Sequence, residues 1–294
     1  MHRFLIKPTT FEILPIQDKQ NPYINIHHPV NRETAIVHHR QLANALEKPI
    51  VVRLPPTDVK LPDIVFTANG GLSLPHIGDH KNRRYPIVLL PNMKYPQRKA
   101  ELPFLAQALS TLGIRTMDYP GSEPFEGQAE LKWFDGGRKA VCGYGHRSTR
   151  KTFRELDSLF EEIYGPDDKP HLLVLPLASS NYYHLDVAMC EYSVTSSKPT
   201  KATKCIVHKR AFSPASHQKL RDFLGAENVT VIDTADSFCL NAVIDGDRMI
   251  THKLTDPALK PLFEQLTGRR VIQIPTPEFE ESGGSVRCMT LDIF

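Results

Sequence analysis

The chain has 294 residues, 36 Lys and Arg against 33 Asp and Glu, a formal net charge of +3, and 40% hydrophobic residues. So small a surplus of charge makes no electrostatic case for nucleic acid or an anionic membrane surface, and no apolar run approaches the roughly 20 residues that a bilayer core requires. The N-terminal MHRFLIKPTTFEIL has too short an apolar stretch, and no small-residue site, for a signal peptide. The five cysteines are an odd number without a CxxC pair, so a reduced, cytoplasmic protein without a disulfide framework is expected. No low-complexity linker divides the sequence, and one domain spanning 1–294 is expected.

In chain order, FLIKPTTF reads as a strand, TAIVHHRQLANALE as a helix and PIVVRLP as a strand. DIVFTANGGLSL and IVLLPN read as two strands, followed by a helix near 103–112 and the strand IRTMDYP. AELKWFDGGRKAVCGYG is a hairpin on an Asp135-Gly136 turn. A helix over 149–164 follows, with Phe153, Leu156, Phe160 and Ile163 on one face and Gly165 after it, and then the strand HLLVLPL. HLDVAMCEY and KCIVHK precede a helix that Ser213-Pro214 opens and Gly225 closes, and NVTVIDT follows as a strand. FCLNAVIDGDRMITHKL is a second hairpin, on Asp245-Gly246. A helix over 256–267, capped by Asp256 with Pro257 at its first position and stopped by Gly268, leads to the strand RRVIQIP. SVRCMTLDIF ends the chain as a strand. These make four strand-strand-helix-strand units with a period of roughly 50–65 residues, and joining the termini supplies a fifth. The fold class expected is α/β, a five-bladed propeller of ββαβ units closed by strands from both termini, which leaves no sheet edge open.

Each unit carries a polar residue on or beside its first strand: Asp63, Glu126 with Glu130, His184 with Asp186, Asn241, and Cys288. If first strands lie innermost, these groups converge at one end of the axis. Two positions apart on a strand, His184 and Asp186 would face the same way. A thiol beside an imidazole suits nucleophilic catalysis, the imidazole drawing the thiol toward thiolate. Several carboxylates suit a planar cation with many donors, namely a guanidinium. Taken singly, a buried cysteine is usually structural, and Cys190 reads as core. It is the coincidence at equivalent places that carries the functional reading. His27-His28 and His38-His39 lack metal-ligand spacing, Gly143-Tyr-Gly145 is too short for a dinucleotide fingerprint, and no P-loop is present. Neither a metal nor a cofactor is expected.

The same residues carry a family resemblance over nearly the whole chain. It lies in Pro62-Asp63-Ile-Val-Phe-Thr-Ala-Asn69, Arg98-Lys-Ala-Glu101, Phe125-Glu126-Gly127, Gly145-His-Arg147-Ser, Tyr183-His184-Leu-Asp186 and Gly283-Gly284-Ser-Val-Arg-Cys288. Together these resemble the guanidino-group-modifying enzymes of the pentein superfamily: arginine deiminases, arginine dihydrolases, dimethylarginine hydrolases and amidinotransferases. The resemblance implies Cys288 as nucleophile, His184 as general acid and base, and Glu126 and Asp186 as the carboxylates gripping the guanidinium. Asp63, Asn69 and Asn241 become further substrate contacts, and Arg98 and Arg147 the arginines for the substrate's α-carboxylate. Dimethylarginine hydrolases usually carry Lys at the position of Asp186 and a Glu-Asp pair at Ala68-Asn69, while deiminases have an acidic residue near Asn69. Thr67-Ala-Asn69 and Tyr183-His-Leu-Asp186 look most like the arginine dihydrolases. Ala129 and Glu130 depart from the common Gly-Asp at that place. The function implied is hydrolysis of the guanidino group of arginine or a derivative, with a small guanidino molecule as partner and neither nucleic acid nor membrane. Dimethylarginine hydrolysis, amidino transfer and a non-catalytic binding protein of the same fold stand as alternatives, and a homo-oligomer stays open.

Overall fold

A computed structural model of the chain describes residues 1–77, 86–194 and 201–294. The first unit seen along the chain is split: β1 (His2–Ile6), α1 (Arg32–Ala45) and β2 (Pro49–Val52) await a strand from the other terminus. β3 (Leu72–Ser73), β4 (Ile87–Leu90), α2 (Pro96–Lys99), α3 (Leu102–Thr111) and β5 (Arg115–Asp118) form the next. The third consists of β6 (Leu131–Phe134), β7 (Lys139–Tyr144), α4 (Arg150–Tyr164) and β8 (His171–Pro176). The fourth has α5 (Leu185–Ala188), β9 (Met189–Tyr192), β10 (Lys204–His208), α6 (Pro214–Leu224) and β11 (Val229–Ile232). The fifth has β12 (Val243–Asp245), β13 (Arg248–His252), α7 (Leu259–Thr267), β14 (Arg270–Ile274) and α8 (Pro277–Glu280), before the terminal β15 (Leu291–Ile293).

The described residues form five three-stranded sheets, and each follows one rule: the first strand lies antiparallel to the second, which lies parallel to the third. β15 serves as first strand for β1, with Phe4 opposite Leu291, so the two ends of the chain share a sheet. A helix spans each parallel pair as its crossover. In α4 the reasons are local. Thr149 caps its start by accepting from Lys151 N and Thr152 N, and Gly165 at φ +83° ends it. Phe153, Leu156 and Phe160 are buried between α4 and the sheet, contributing about 1.5–3 kcal/mol each.

The first strand of four of these sheets buries a charge among its apolar residues. Lys132 on β6, Glu191 on β9, Asp245 on β12 and Asp292 on β15 are all buried, as are Arg3 and Arg287. Arg3 pairs with Asp292, Arg287 lies 2.8 Å from Asp292 and 3.6 Å from Glu191, and Lys132 lies 3.4 Å from Glu191.

Two expectations need correction. Helix α7 begins at Leu259 and not at 256, because Pro261 lacks an N–H and fits only within a helix's first turn. Asp256 instead caps the turn ahead of it, accepting from Ala258 N at 2.9 Å. The first strands are also shorter than their apolar runs suggested. DIVFTANGGLSL is strand only at Leu72–Ser73, and His184 to Ala188 is a helical turn, not a strand. Alternation therefore does not set His184 and Asp186 on one face. Likewise Cys288 lies in a turn just before β15.

Candidate active site

Those turns explain how the polar residues meet. Strand residues alternate between faces, whereas a tight turn can aim several neighbouring groups to one side. Cys288, 3% exposed, sits in the turn 285–290. Asn241, in the turn before β12, holds this turn from behind. Its Oδ1 accepts from Arg287 N at 2.8 Å and Cys288 N at 3.2 Å, and its Nδ2 donates to Cys288 Sγ at 3.1 Å and to Asp186 O at 3.2 Å. Asp186 Oδ2 lies 3.4 Å from the sulfur. The approach to Cys288 is packed too closely for side chains: a Cβ on Gly284 would stand 2.2 Å from the Phe66 ring, and Gly283 has φ +90° with Asn21 against it.

Opposite stands a paired histidine and glutamate. His184 Nε2 is 2.8 Å from Glu126 Oε2, and Asn69 Nδ2 lies 3.5 Å from both ring nitrogens. Glu126 precedes Gly127, whose φ of +63° and contact with the Gly71 carbonyl leave no room for a Cβ. Glu126 Oε1 also accepts from Lys94 N at 3.2 Å, and Arg147 Nη1 lies 3.3 Å from Oε2. Arg147 donates further to Gln20 O at 3.1 Å and stacks on the Tyr95 and Tyr183 rings. Arg98 Nε donates to Glu101 Oε2 at 2.8 Å. Asp63 accepts from Gln17 Nε2 at 2.8 Å and Ser282 Oγ at 3.1 Å, and the Tyr183 hydroxyl donates to Gly283 O.

Burial and charge set the protonation states. Burial, followed by the charge of Asp186, pushes the Cys288 thiol up. Burial pulls His184 down, with Glu126 opposing it. For Glu126, burial acts upward, but Arg147 and then His184 outweigh it and hold this carboxyl below the usual carboxylate range. Its neighbour Glu130 is pushed up by burial and by Glu126 itself, and Asp63 is pushed up by burial. At neutral pH the resting site thus holds a thiol, a neutral imidazole and an ionised Glu126. The expected pairing of imidazole with thiol is corrected accordingly: the partners of His184 are Glu126 and Asn69, and those of the Cys288 sulfur are Asn241 and Asp186.

All nine residues singled out in the sequence come into this region. Asp63, Asn69, Arg98, Arg147, His184 and Cys288 line one small cavity of about 20 Å³ together with Gln20, Asn21 and Tyr183. Glu126, Asp186 and Asn241 stand behind that lining, bonded to it as described. Among the buried side-chain atoms without a hydrogen-bond partner in the described residues, Asp186 Oδ1, Arg147 Nε and Glu101 Oε1 belong to this site. Sequence reasoning missed the segment carrying Gln17, Gln20 and Asn21, which covers the site and has no motif of its own. It also gave no role to Glu101, although the i, i+3 spacing from Arg98 was a usable signal. Cys190 is buried among Tyr192, Ile206 and Cys239, as expected of a core residue. Among the described residues, no group of three or more His, Cys, Asp or Glu could hold a metal ion, and no helix is long and apolar enough to cross a membrane.

No protein-family model matches the chain. It is 30% identical over 279 residues to a bifunctional arginine dihydrolase/ornithine cyclodeaminase, AgrE, of Nostoc, a match covering 93% of this chain and 35% of that protein. It is 27% identical over 240 residues to an N(G),N(G)-dimethylarginine dimethylaminohydrolase of Mycobacterium tuberculosis, covering 79% of this chain and 67% of that one. The chain spans about a third of the length of the bifunctional relatives it matches. Among solved structures, the substrate-bound N-terminal domain of ArgZ, a cyanobacterial arginine dihydrolase, superposes with a TM-score of 0.79 at 24% identity, covering 99% of this chain and 97% of that domain. AgrE bound to L-arginine superposes with a TM-score of 0.78 at 25% identity, covering 99% of this chain and 40% of that one. The chain therefore resembles, along nearly its whole length, the pentein-type guanidino-group-modifying enzymes, and shares their α/β fold of five small sheets.

Proposed function

We propose that residues 1–294 act as one catalytic unit, a propeller of five ββαβ blades closed where β15 meets β1, that hydrolyses C–N bonds in the guanidino group of arginine or a close derivative. The observation that carries this reading is the placement of the Cys288 sulfur 3.4 Å from Asp186, in a cavity also lined by the Glu126-bound imidazole of His184. Asp186 and Glu126 offer carboxylates to a planar cation, and an unsubstituted guanidinium presents N–H groups to both. A guanidinium with one nitrogen dimethylated presents fewer, which favours arginine over dimethylarginine. The cavity has room for about one water molecule, so entry requires the segment 20–24 and Arg147 to yield. Leaving Glu126, Arg147 would be free to meet the α-carboxylate beside Arg98.

With the cation bound, the Cys288 proton passes to His184 and the thiolate adds to the guanidinium carbon. The imidazolium returns that proton to the departing nitrogen, ammonia leaves, and a thiouronium cation remains on Cys288. Water then attacks with His184 as base, the C–S bond breaks, and the thiol is restored with a urea product and one proton released. From arginine the product is citrulline; a second cycle would give ornithine. A cytoplasmic setting accords with five unpaired, buried cysteines.

Incubation with L-arginine, dimethylarginine and agmatine, with ammonia, citrulline and ornithine measured, tests the reading. Ammonia from arginine without an added amine acceptor separates hydrolysis from amidino transfer. Cys288→Ser is expected to lose activity by at least about 10⁴-fold while keeping its thermal midpoint. No turnover of any guanidino compound, or undiminished turnover in that variant, overturns it.

A further inference from the structure

Outside the substrate cavity, one buried chain of polar groups leads from the end of β13 to the turn that carries Cys288. His252, 3% exposed, closes β13. A carboxylate stands on each side of its ring: Asp236 Oδ1 lies 2.7 Å from Nε2, an ion pair out of line with the N–H bond, and Glu280 Oε1 lies 3.1 Å from Nδ1. The same Glu280 oxygen accepts from Thr276 Oγ1 at 2.5 Å, and Thr276 Oγ1 lies 2.9 Å from Ser285 Oγ. Because Thr276 spends its proton on Glu280, the Ser285 hydroxyl is the donor in that contact. Ser285 is fully buried and opens the nucleophile's turn. Its carbonyl accepts from Met289 N at 3.3 Å, and its backbone hydrogen-bonds the Cys288 sulfur in the sense that favours thiolate. On the far side Asp236 is fixed by Thr255, through the backbone N at 2.9 Å and Oγ1 at 3.0 Å.

The charge on His252 follows from its company. Burial acts against protonation, but Asp236, then Glu280, outweigh it and raise the pKa to about 9. The other titratable groups nearby, His208 and Cys239, lie behind Asp236 and are held neutral by burial. The imidazolium joins three parts of the molecule distant in sequence: the 233–236 loop, β13 and α8. Of the three, the α8 branch continues through side-chain hydrogen bonds to the turn of Cys288.

We propose that His252 is a positioning residue for Cys288: it fixes Glu280, which through Thr276 and Ser285 sets the turn that aims the sulfur. The proposal rests on the reading of Cys288 as nucleophile, and it places the control of that sulfur in a neighbouring blade, away from any atom that meets substrate.

The test compares His252→Gln, Ser285→Ala and the double variant, each in the full chain, by arginine kinetics and by the rate at which iodoacetamide alkylates Cys288. His252→Gln is expected to lower kcat between about 10- and 100-fold, the scale of a small misplacement of reacting groups. KM should stay within about twofold, since Glu126, Asp186 and Arg98 are untouched, and the alkylation rate should change along with kcat. Ser285→Ala should reproduce the kcat loss with the histidine intact, and the double variant should add little to either, as expected of residues acting in series. A His252→Gln protein that keeps kcat and alkylation rate while losing only thermal stability overturns the proposal, as do losses that add independently in the double variant. Should His252→Gln fail to fold, Ser285→Ala and Thr276→Val carry the same decision: unchanged kcat and alkylation in both defeats it. If the wild type turns over no guanidino compound, the functional reading falls, and the alkylation comparison alone decides the positioning.

Discussion

The polar groups around the cavity and the charges of the first strands are the same kinds of buried side chain with different outcomes. Among the strands, Arg3, Lys132 and, from the turn before β15, Arg287 end on Asp292 and Glu191, charge against charge, and the atoms there without a hydrogen bond, Arg3 Nε, Lys132 Nζ and Glu191 Oε2, each lie within 4 Å of an opposite charge. Around the cavity, Asp186 Oδ1, Glu101 Oε1 and Arg147 Nε, on residues as well buried, have no hydrogen-bond partner. Buried charge is tolerable only when it is answered. Where the molecule supplies the answer itself, the charges hold strands together. Around the cavity the answer is incomplete, and on the proposed reading a bound planar cation completes it for Asp186. The near-neutral net charge of +3 conceals both arrangements.

Breaking the paired region should cost stability and breaking the open one should cost chemistry. Asp292→Ala strands two buried guanidinium groups, on Arg3 and Arg287, and is expected to destabilise by about 3–5 kcal/mol in urea unfolding. A loss below about 1 kcal/mol would mean that the strand charges are solvated and that the contrast is false. Asp186→Asn should do the reverse. Hydrolysis should fall by at least about 100-fold, since the amide cannot hold a guanidinium by charge, while unfolding stability holds or rises because a carboxylate with an unanswered oxygen is gone. The same change removes the anion that, after burial, does most to keep the thiol protonated. Alkylation of Cys288 by iodoacetamide at pH 8 should therefore become faster in the variant that no longer turns over arginine. Slower alkylation would show that Asp186 is not what governs the thiol.

The two regions were not equally legible. Unit order was readable because hairpin turns and caps are local: Asp135-Gly136, Asp245-Gly246, Thr149 and Ser213 each act within a few residues. The site was readable by coincidence, since a repeat brings equivalent positions together even when each residue alone looks ordinary. The strand charges were not, because a lysine or glutamate alternating with apolar neighbours reads as a solvated face. What buries them is a partner far away in sequence, as with Arg3 and Asp292, which are 289 positions apart. The secondary structure of the site was misread for a related reason. Apolar runs such as Asp63-Ile-Val-Phe signal burial, and a buried turn gives the same signal as a buried strand.

Arg147 and Glu126 test the comparison at its boundary, as an ion pair within the open region, 3.3 Å apart. Arg147 is foremost among the groups that hold the Glu126 carboxyl below its ordinary value of 4.5. A group depressed on folding stabilises above its unfolded value, and that contribution fades as pH falls toward the folded one. The wild type should accordingly lose stability as pH drops from 5 through the acid range, by on the order of 1–2 kcal/mol from this pair. In Arg147→Met the carboxyl titrates nearer its ordinary value, so the same acid range should cost less, and the two proteins' urea midpoints should converge between pH 7 and pH 4. A constant gap at both pH values would mean that the ion pair contributes nothing to folding. Arg147 would then belong wholly with the unanswered groups, as a residue kept for the ligand alone.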